Sequence, residues 1–341
     1  MAKRTCIRWT AAIVILWTVA GGCSGGSGSE NRPAPEEAPS DEHPDETWPP
    51  PDPPVPEPEV DAGTEPMDAG TPEPKSFDVF GTRQLHPTAP GGRTWAARWD
   101  GPRRTLGAWQ RDPYDPELQT RGSNQTLEIR GDGTARSSGE TVRIYIGTPH
   151  TGWLNTEVTV YARRVSEWRD APTSSGFEFQ TRTNDGHQSE RGRTDTGLDW
   201  HCLGHAYGAS LRFDGRAVLE KELKHPHYTP QVVKELWGGR GLRRNTWIGL
   251  KVLTYNLPGD RVKQELWMDL TDGREGGTWR KVHEHIDAGG WSIPPRIAAT
   301  CGIPADHRIT TPQPFIILRN DKVREQWLKK LTVREIVPPT E

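Results

Sequence analysis

From about residue 125 onward, apolar and polar residues alternate in short runs, the period of strands that bury one face. In Thr246–Asn256 one face carries Ile248, Leu250 and Val252, and the other carries Trp247, Lys251 and Tyr255. Arg261–Leu270 sets Val262, Leu266, Met268 and Leu270 against Lys263, Glu265, Trp267 and Asp269. Gly176–Asn184 sets Phe177 and Phe179 against Glu178, Gln180, Arg182 and Asn184, and Leu154–Val165 sets Val158 and Val160 against Glu157, Tyr161 and Arg163. His205–Phe213, Arg216–Leu223, Thr278–Ile286 and Trp327–Ile336 repeat the pattern, with shorter runs at Gln125–Arg130, Thr141–Ile146 and Phe315–Leu318. Asp214-Gly215, Pro258-Gly259-Asp260 and Asp272-Gly273 supply hairpin turns between them. Only Gln231–Trp237 offers a helix. About eleven short strands with frequent turns predict an all-β, antiparallel sandwich or barrel.

The alternation stops short of the N-terminus, and composition explains why. The chain has 341 residues, only 32% of them hydrophobic, with 31 Pro and 36 Gly. Residues 24–76 hold 14 of those prolines and 14 Asp/Glu against two basic residues, Arg32 and Lys75. The net charge of −3 divides into +3 for residues 1–23, −12 for 24–76 and +6 for 77–341. Such a proline-rich, like-charged stretch cannot bury enough apolar surface to fold, so residues 23–76 are expected to be a disordered tether. A coil of that length reaches on the order of 40 Å, more where prolines stiffen it. One folded body, residues 77–341, remains.

Lys3, Arg4 and Arg8 precede an apolar run from Trp9 to Ala20, the layout of a secretory signal over residues 1–22. At about 1.5 Å per residue the run is too short for a ~30 Å hydrocarbon core. Val19-Ala20-Gly21-Gly22-Cys23 resembles the lipobox of bacterial lipoproteins, with Ala20 where Leu is usual. That resemblance implies lipidation of Cys23, and Ser24 after it implies the outer membrane or cell surface. The membrane is then met only through the lipid. Cys202 and Cys301 are the two cysteines left in the body; in an exported chain they most simply form a disulfide, two buried free thiols being the alternative. Neither has the C-x-x-C spacing of a zinc site.

The strands Trp247-Ile-Gly-Leu-Lys-Val and Val262-Lys-Gln-Glu-Leu-Trp-Met-Asp, set in a body of this length, resemble those of concanavalin A-like jelly rolls, a group of lectins, glucanases and alginate-lyase-like enzymes. The resemblance spans roughly residues 77–338 and implies a jelly-roll β-sandwich whose bent sheet binds glycan. Fold does not fix function, so the site must be argued from its residues.

Aromatic and basic side chains on outward faces suit a sugar, whose C–H face stacks on a ring while its hydroxyls find hydrogen bonds. Trp247, Lys251, Tyr255, Trp267 and Arg182 are therefore expected to line a carbohydrate groove, and a polysaccharide is the expected partner. The alternative is a lyase cleaving a uronate glycan by β-elimination, with Arg182 or Gln180 neutralising the carboxylate and His205 or Tyr207 moving the proton. The R-x-E-x-R, Q-x-H and Y-x-K-x-G-x-Y motifs of alginate lyases are not intact here. A structural or adhesive envelope domain is a third class. For a glycosidase, Glu220 and Glu222 are spaced suitably at roughly 6.6 Å along one strand face, but Glu220-Lys-Glu-Leu-Lys reads as an ordinary charged edge. Glu265 and Asp269, roughly 13 Å apart, are too far. Enzyme activity is thus left open, a lyase ranking before a hydrolase. His283, His285 and Asp287 share a strand face with zinc-like spacing, and Asp269, Asp272 and Glu275 crowd a turn where calcium can bind. Exposed strand histidines and plain turn polarity explain both sets, so no metal or cofactor is assigned. Nucleic acid is not an expected partner of an exported, lipid-anchored chain.

Overall fold

The computed structural model describes residues 76–187 and 192–340. The signal segment 1–22, nearly all of the tether 23–76 and the acceptor Cys23 lie outside the described residues.

The fold is an antiparallel jelly roll with sixteen strands among the described residues. In chain order, the first six are β1 (Thr94–Ala96), β2 (Arg104–Leu106), β3 (Arg111–Asp112), β4 (Asp115–Thr120), β5 (Thr126–Ile129) and β6 (Thr134–Ile146). Next come β7 (Thr156–Glu167), β8 (Gly176–Thr183), β9 (Ala206–Arg212), β10 (Arg216–Lys224), β11 (His227–Tyr228) and β12 (Val232–Glu235). The last four are β13 (Trp247–Leu257), β14 (Arg261–Asp269), β15 (Arg280–Asp287) and β16 (Phe315–Glu335). Hydrogen bonds connect them in the order β11-β10-β9-β8-β16-β7-β13-β14-β15.

Strand β16 joins the two limbs of this ladder. Its first residues, Phe315 to Arg319, pair with β8, and Val323 to Glu335 pair with β7. β6 runs along it from Ile316 to Lys329. The two short runs read from the sequence, Phe315–Leu318 and Trp327–Ile336, are therefore one bent strand. Register shifts near Val323 and a positive φ at Lys322 put the bend where Asn320-Asp321-Lys322 resembles a turn. The front limb (β6, the start of β16, and β8 to β12) folds over the back limb (the end of β16, then β7, β13, β14 and β15). Phe177, Phe179, Leu211 and Leu219 from the front meet Val158, Leu250, Val252 and Leu266 from the back in one core.

The expected hairpins form at Gly215, Gly259 and Gly273, all with positive φ, where a glycine meets the turn without strain. Gln231–Trp237 is not a helix: Val232–Glu235 pairs with β10 from Leu219 to Arg216, satisfying its backbone through the sheet. Cys202 and Cys301 form the disulfide, with an S–S distance of 1.94 Å. It ties the 3-10 turn Trp200–Gly204 to the short helix Pro295–Ala299 region. In the chain-entropy picture, a loop of this length is worth about 4–5 kcal/mol.

Candidate functional site

The residues expected to form a groove on β13 and β14 share one outward face, as alternation requires: Lys251 stands opposite Trp267 in the ladder. The middle of that face is filled. Lys251 is fully buried, its ammonium donating to Glu157 Oε1 and Thr159 Oγ1 at 2.7 Å each, with the Trp279 ring 4.6 Å away. Glu157 also pairs with Arg334 and accepts the Leu85 backbone N–H. The segment from Phe77 to Thr88 supplies this cover, with Asp78 reaching Thr332 and Thr88 reaching Arg334. Tyr255 and Trp267 line a separate cavity of about 280 Å3 with His86, Lys263, Glu265 and Lys281. Trp247 lies in another patch, under the cations of Arg163 and Lys329. The expected continuous groove is therefore interrupted.

Arg182 does not line a groove either. Its φ of 52° breaks the strand alternation, so its side chain turns into the interior instead of following Glu178 and Gln180 outward. There it donates to the Leu154 carbonyl at 3.1 Å, Ile309 carbonyl at 2.6 Å and Asn256 Oδ1 at 2.6 Å, latching loops to the core. Tyr207 also points inward, donating its hydroxyl to Asp287 Oδ2 at 2.7 Å; burial and that carboxylate push its pKa far up. His205 holds Nδ1 3.1 Å from the Cys202 carbonyl. Of the four residues proposed for a lyase, only Gln180 reaches an outward face. The other metal readings dissolve similarly. Asp287 is taken by Lys221 and Tyr207, while His283 bonds the Val232 carbonyl. Asp269 accepts from Thr271, Gly273, Thr278 and Tyr161, organising the turn.

The outward face of the front limb carries a different constellation. Alternation presents Glu178 and Gln180 from β8, Ala206, Gly208 and Ser210 from β9, and Glu220 and Glu222 from β10. The register sets Glu178 opposite Ser210, and Gly208 between Gln180 and Glu220. Only small side chains rise from β9, so the carboxyls of the flanking strands lean across it. A Cβ on Gly208 would stand 2.8 Å from Glu220 Cγ. Glu220 and Glu222 are thus 7% and 1% exposed, not a solvated edge, because β11 and β12 both add to β10 and wall it off.

This face is concave. Arg319 on β16 donates Nη1–H to the Tyr228 hydroxyl on β11 at 3.1 Å, although three strands intervene. In a flat sheet those strands lie roughly 19 Å apart, farther than an arginine and a tyrosine reach together. The sheet curls enough to bring Arg319 and Tyr228 together across the row of Glu178, Gln180, Glu220 and Glu222.

The enclosure separates the carboxyls electrostatically. Burial pushes Glu178 up to about 8; nearby Arg319 opposes this and Glu220 reinforces it. Burial also raises Glu220. Glu222, despite its burial, is drawn down to about 2, because His187 and His225 both face it. His187 Nε2 lies 3.0 Å from Glu222 Oε2 and His225 Nδ1 lies 2.8 Å from Oε1. Burial holds His187 near 4, so a neutral imidazole serves this bond. Glu178 Oε1 and Gln180 Oε1 are buried acceptors without a protein partner. Native proteins pair nearly all such atoms.

The sequence matches no family model and no curated protein. Solved structures resemble the fold loosely. The VIP36 exoplasmic/lumenal domain in its Ca2+/Man-bound form is 10% identical over 72% of this chain and 93% of that one, with a TM-score of 0.38. A seed lectin of Lotus tetragonolobus is 10% identical over 70% and 100%, with a TM-score of 0.36. The alginate lyase Aly36B in complex with alginate trisaccharide is 11% identical over 74% and 99%, with a TM-score of 0.37.

Proposed function

We propose that the jelly roll binds a polysaccharide in the concavity of its front limb. The observation that carries this reading is the pair of unpartnered, buried oxygens, Glu178 Oε1 and Gln180 Oε1, on a curled polar face. Sugar hydroxyls, which both donate and accept, suit such oxygens, and Arg319, beside Glu178, adds a cation suited to a uronate carboxylate. Isothermal titration against a panel of uronate and neutral glycans tests it. Binding should weaken by about tenfold or more in Gln180→Leu, and Arg319→Met should weaken uronate binding most. Failure of every glycan to bind, or binding indifferent to both substitutions in folded protein, would favour the structural envelope role.

One feature favours a second reading, cleavage of a uronate glycan. Arg319 and Gln180 can neutralise a carboxylate, and Tyr228, accepting from Arg319, keeps its own proton free to give. Appearance of the absorbance of a 4,5-unsaturated product, lost in Tyr228→Phe, would establish it; no product from any uronate polymer would leave binding alone. We further propose that Cys23 carries a lipid and that residues 23–76 hold the domain off the cell surface. The chain should then sediment with outer membranes, and Cys23→Ser should release it; an unchanged distribution would refute the anchor.

A further inference from the structure

At one end of the concavity three side chains that no sugar contact requires converge. Glu222 ends the outward row of β10, His225 follows it by three residues in the turn before β11, and His187 lies four residues past β8. Their ligand-capable atoms, His187 Nε2, a Glu222 carboxylate oxygen and His225 Nδ1, all lie within 4.8 Å of one another, the only such group among the described residues. We propose that His187, Glu222 and His225 form a binding site for one transition-metal ion of the zinc class.

Geometry and donor chemistry both point there. A tetrahedral ion with bonds of about 2.0–2.1 Å sets its donors roughly 3.3 Å apart. His187 Nε2 stands 3.0 Å from Glu222 Oε2 and His225 Nδ1 2.8 Å from Oε1, and with all three ligand atoms within 4.8 Å of one another an ion would draw them together. Two imidazoles and one carboxylate suit zinc, cobalt, nickel or copper, whereas calcium and magnesium seek oxygen. Glu222 and His187 are 1% and 3% exposed and His225 is 23% exposed, which leaves an approach on the His225 side. The His225 ring is held in place: it packs 5.0 Å from His187 and stacks 5.9 Å from His201. His201 adjoins Cys202, so the disulfide braces this wall.

A second observation separates a metal site from a structural triad. Gln180 is 1% exposed, and its amide donates to Glu222 Oε2 at 3.4 Å while Oε1 has no partner. A triad serving packing alone leaves fewer polar atoms bare, since each costs about 1–3 kcal/mol. Around an ion, Gln180 can face a fourth ligand such as water. The proposal shares Gln180 with the glycan reading, but its readout is the metal itself, so either can fail without the other.

The test is titration of the full chain, stripped with chelator, with Co2+ and Zn2+. We expect one ion per chain, a visible cobalt band of tetrahedral or five-coordinate type, and at least tenfold weaker binding in His225→Ala. His225 is partly exposed, so this variant should fold; His187→Ala is the buried counterpart, and circular dichroism checks both. His201→Ala, which removes only the stacking ring, should keep the stoichiometry. Absence of saturable binding, or binding that His225→Ala leaves unchanged, overturns the site.

Discussion

Glu178 provides a stability test of the concave face that needs no ligand. Its carboxyl moves from an ordinary 4.5 to about 8, chiefly because burial disfavours its charge. The folded state therefore binds this proton more tightly than the unfolded chain does. Stability follows the excess of protons on the unfolded state, so with the excess on the folded side it must fall as pH rises. The contribution is complete below about 4.5 and is lost as pH climbs through about 8. A gap of that size corresponds to a ceiling of about 5 kcal/mol at roughly 1.4 kcal/mol per pH unit. The side chain retains 18% exposure, and Glu220 can take the proton in its place, so a smaller effect of about 2–4 kcal/mol is expected. Glu178→Gln keeps the shape and removes the charge. Urea unfolding of the two proteins from pH 5 to pH 9 reads the effect of this carboxyl together with Glu220, since groups remote from the two cancel in the difference. The variant should gain on the wild type steadily with pH and be the more stable at pH 9. A difference that stays flat across this range, or a variant that is less stable at pH 9, would refute the enclosure argued for this carboxyl.

Two further substitutions probe the architecture. Lys221 and Asp287 form an interior pair at 2.7 Å, with exposures of 0% and 1%. Asp287→Asn should cost about 3–5 kcal/mol, and Lys221→Met combined with it should recover part of that, whereas additive losses in the double-mutant cycle would mean the two charges are not coupled. Trp267→Ala, on the back limb beside the cavity with Tyr255, should leave glycan affinity unchanged; if it abolishes binding, that cavity and not the front concavity is the site.

What the sequence revealed and what it hid follow from one property of strands. Alternation assigns each side chain a face, so Phe177, Phe179, Leu250 and Val252 were legible as core and Trp247, Lys251 and Tyr255 as outward. It does not say what lies on an outward face. The cover over Lys251 comes from residues 77–88, far away in the chain and without alternation of their own. Nor does alternation survive a left-handed residue. Arg182, at a φ of 52°, takes the inward side where the pattern places it beside Gln180, and arginine gives no local warning of such a backbone. Glu220 and Glu222 looked like a charged edge because the additions of β11 and β12 depend on long-range pairing.

The concave site was hidden for a related reason, and this bears on its chemistry. Arg319 belongs to a strand in which the stretch just after it, Asn320-Asp321-Lys322, has the composition of a turn, so the run seemed to end at Leu318. Continuing through that stretch requires a bend, and the bend lets one strand serve both limbs. The same curl brings Arg319 to Tyr228 and encloses Glu178. Straightening β16 would separate Arg319 from Tyr228, return water to the carboxyls and relax the proton affinity of Glu178 toward its ordinary value. The irregular stretch that broke the sequence pattern is thus tied to the shape of the proposed binding face. Proton affinity and glycan affinity should accordingly shift together in any variant that alters the bend at Lys322.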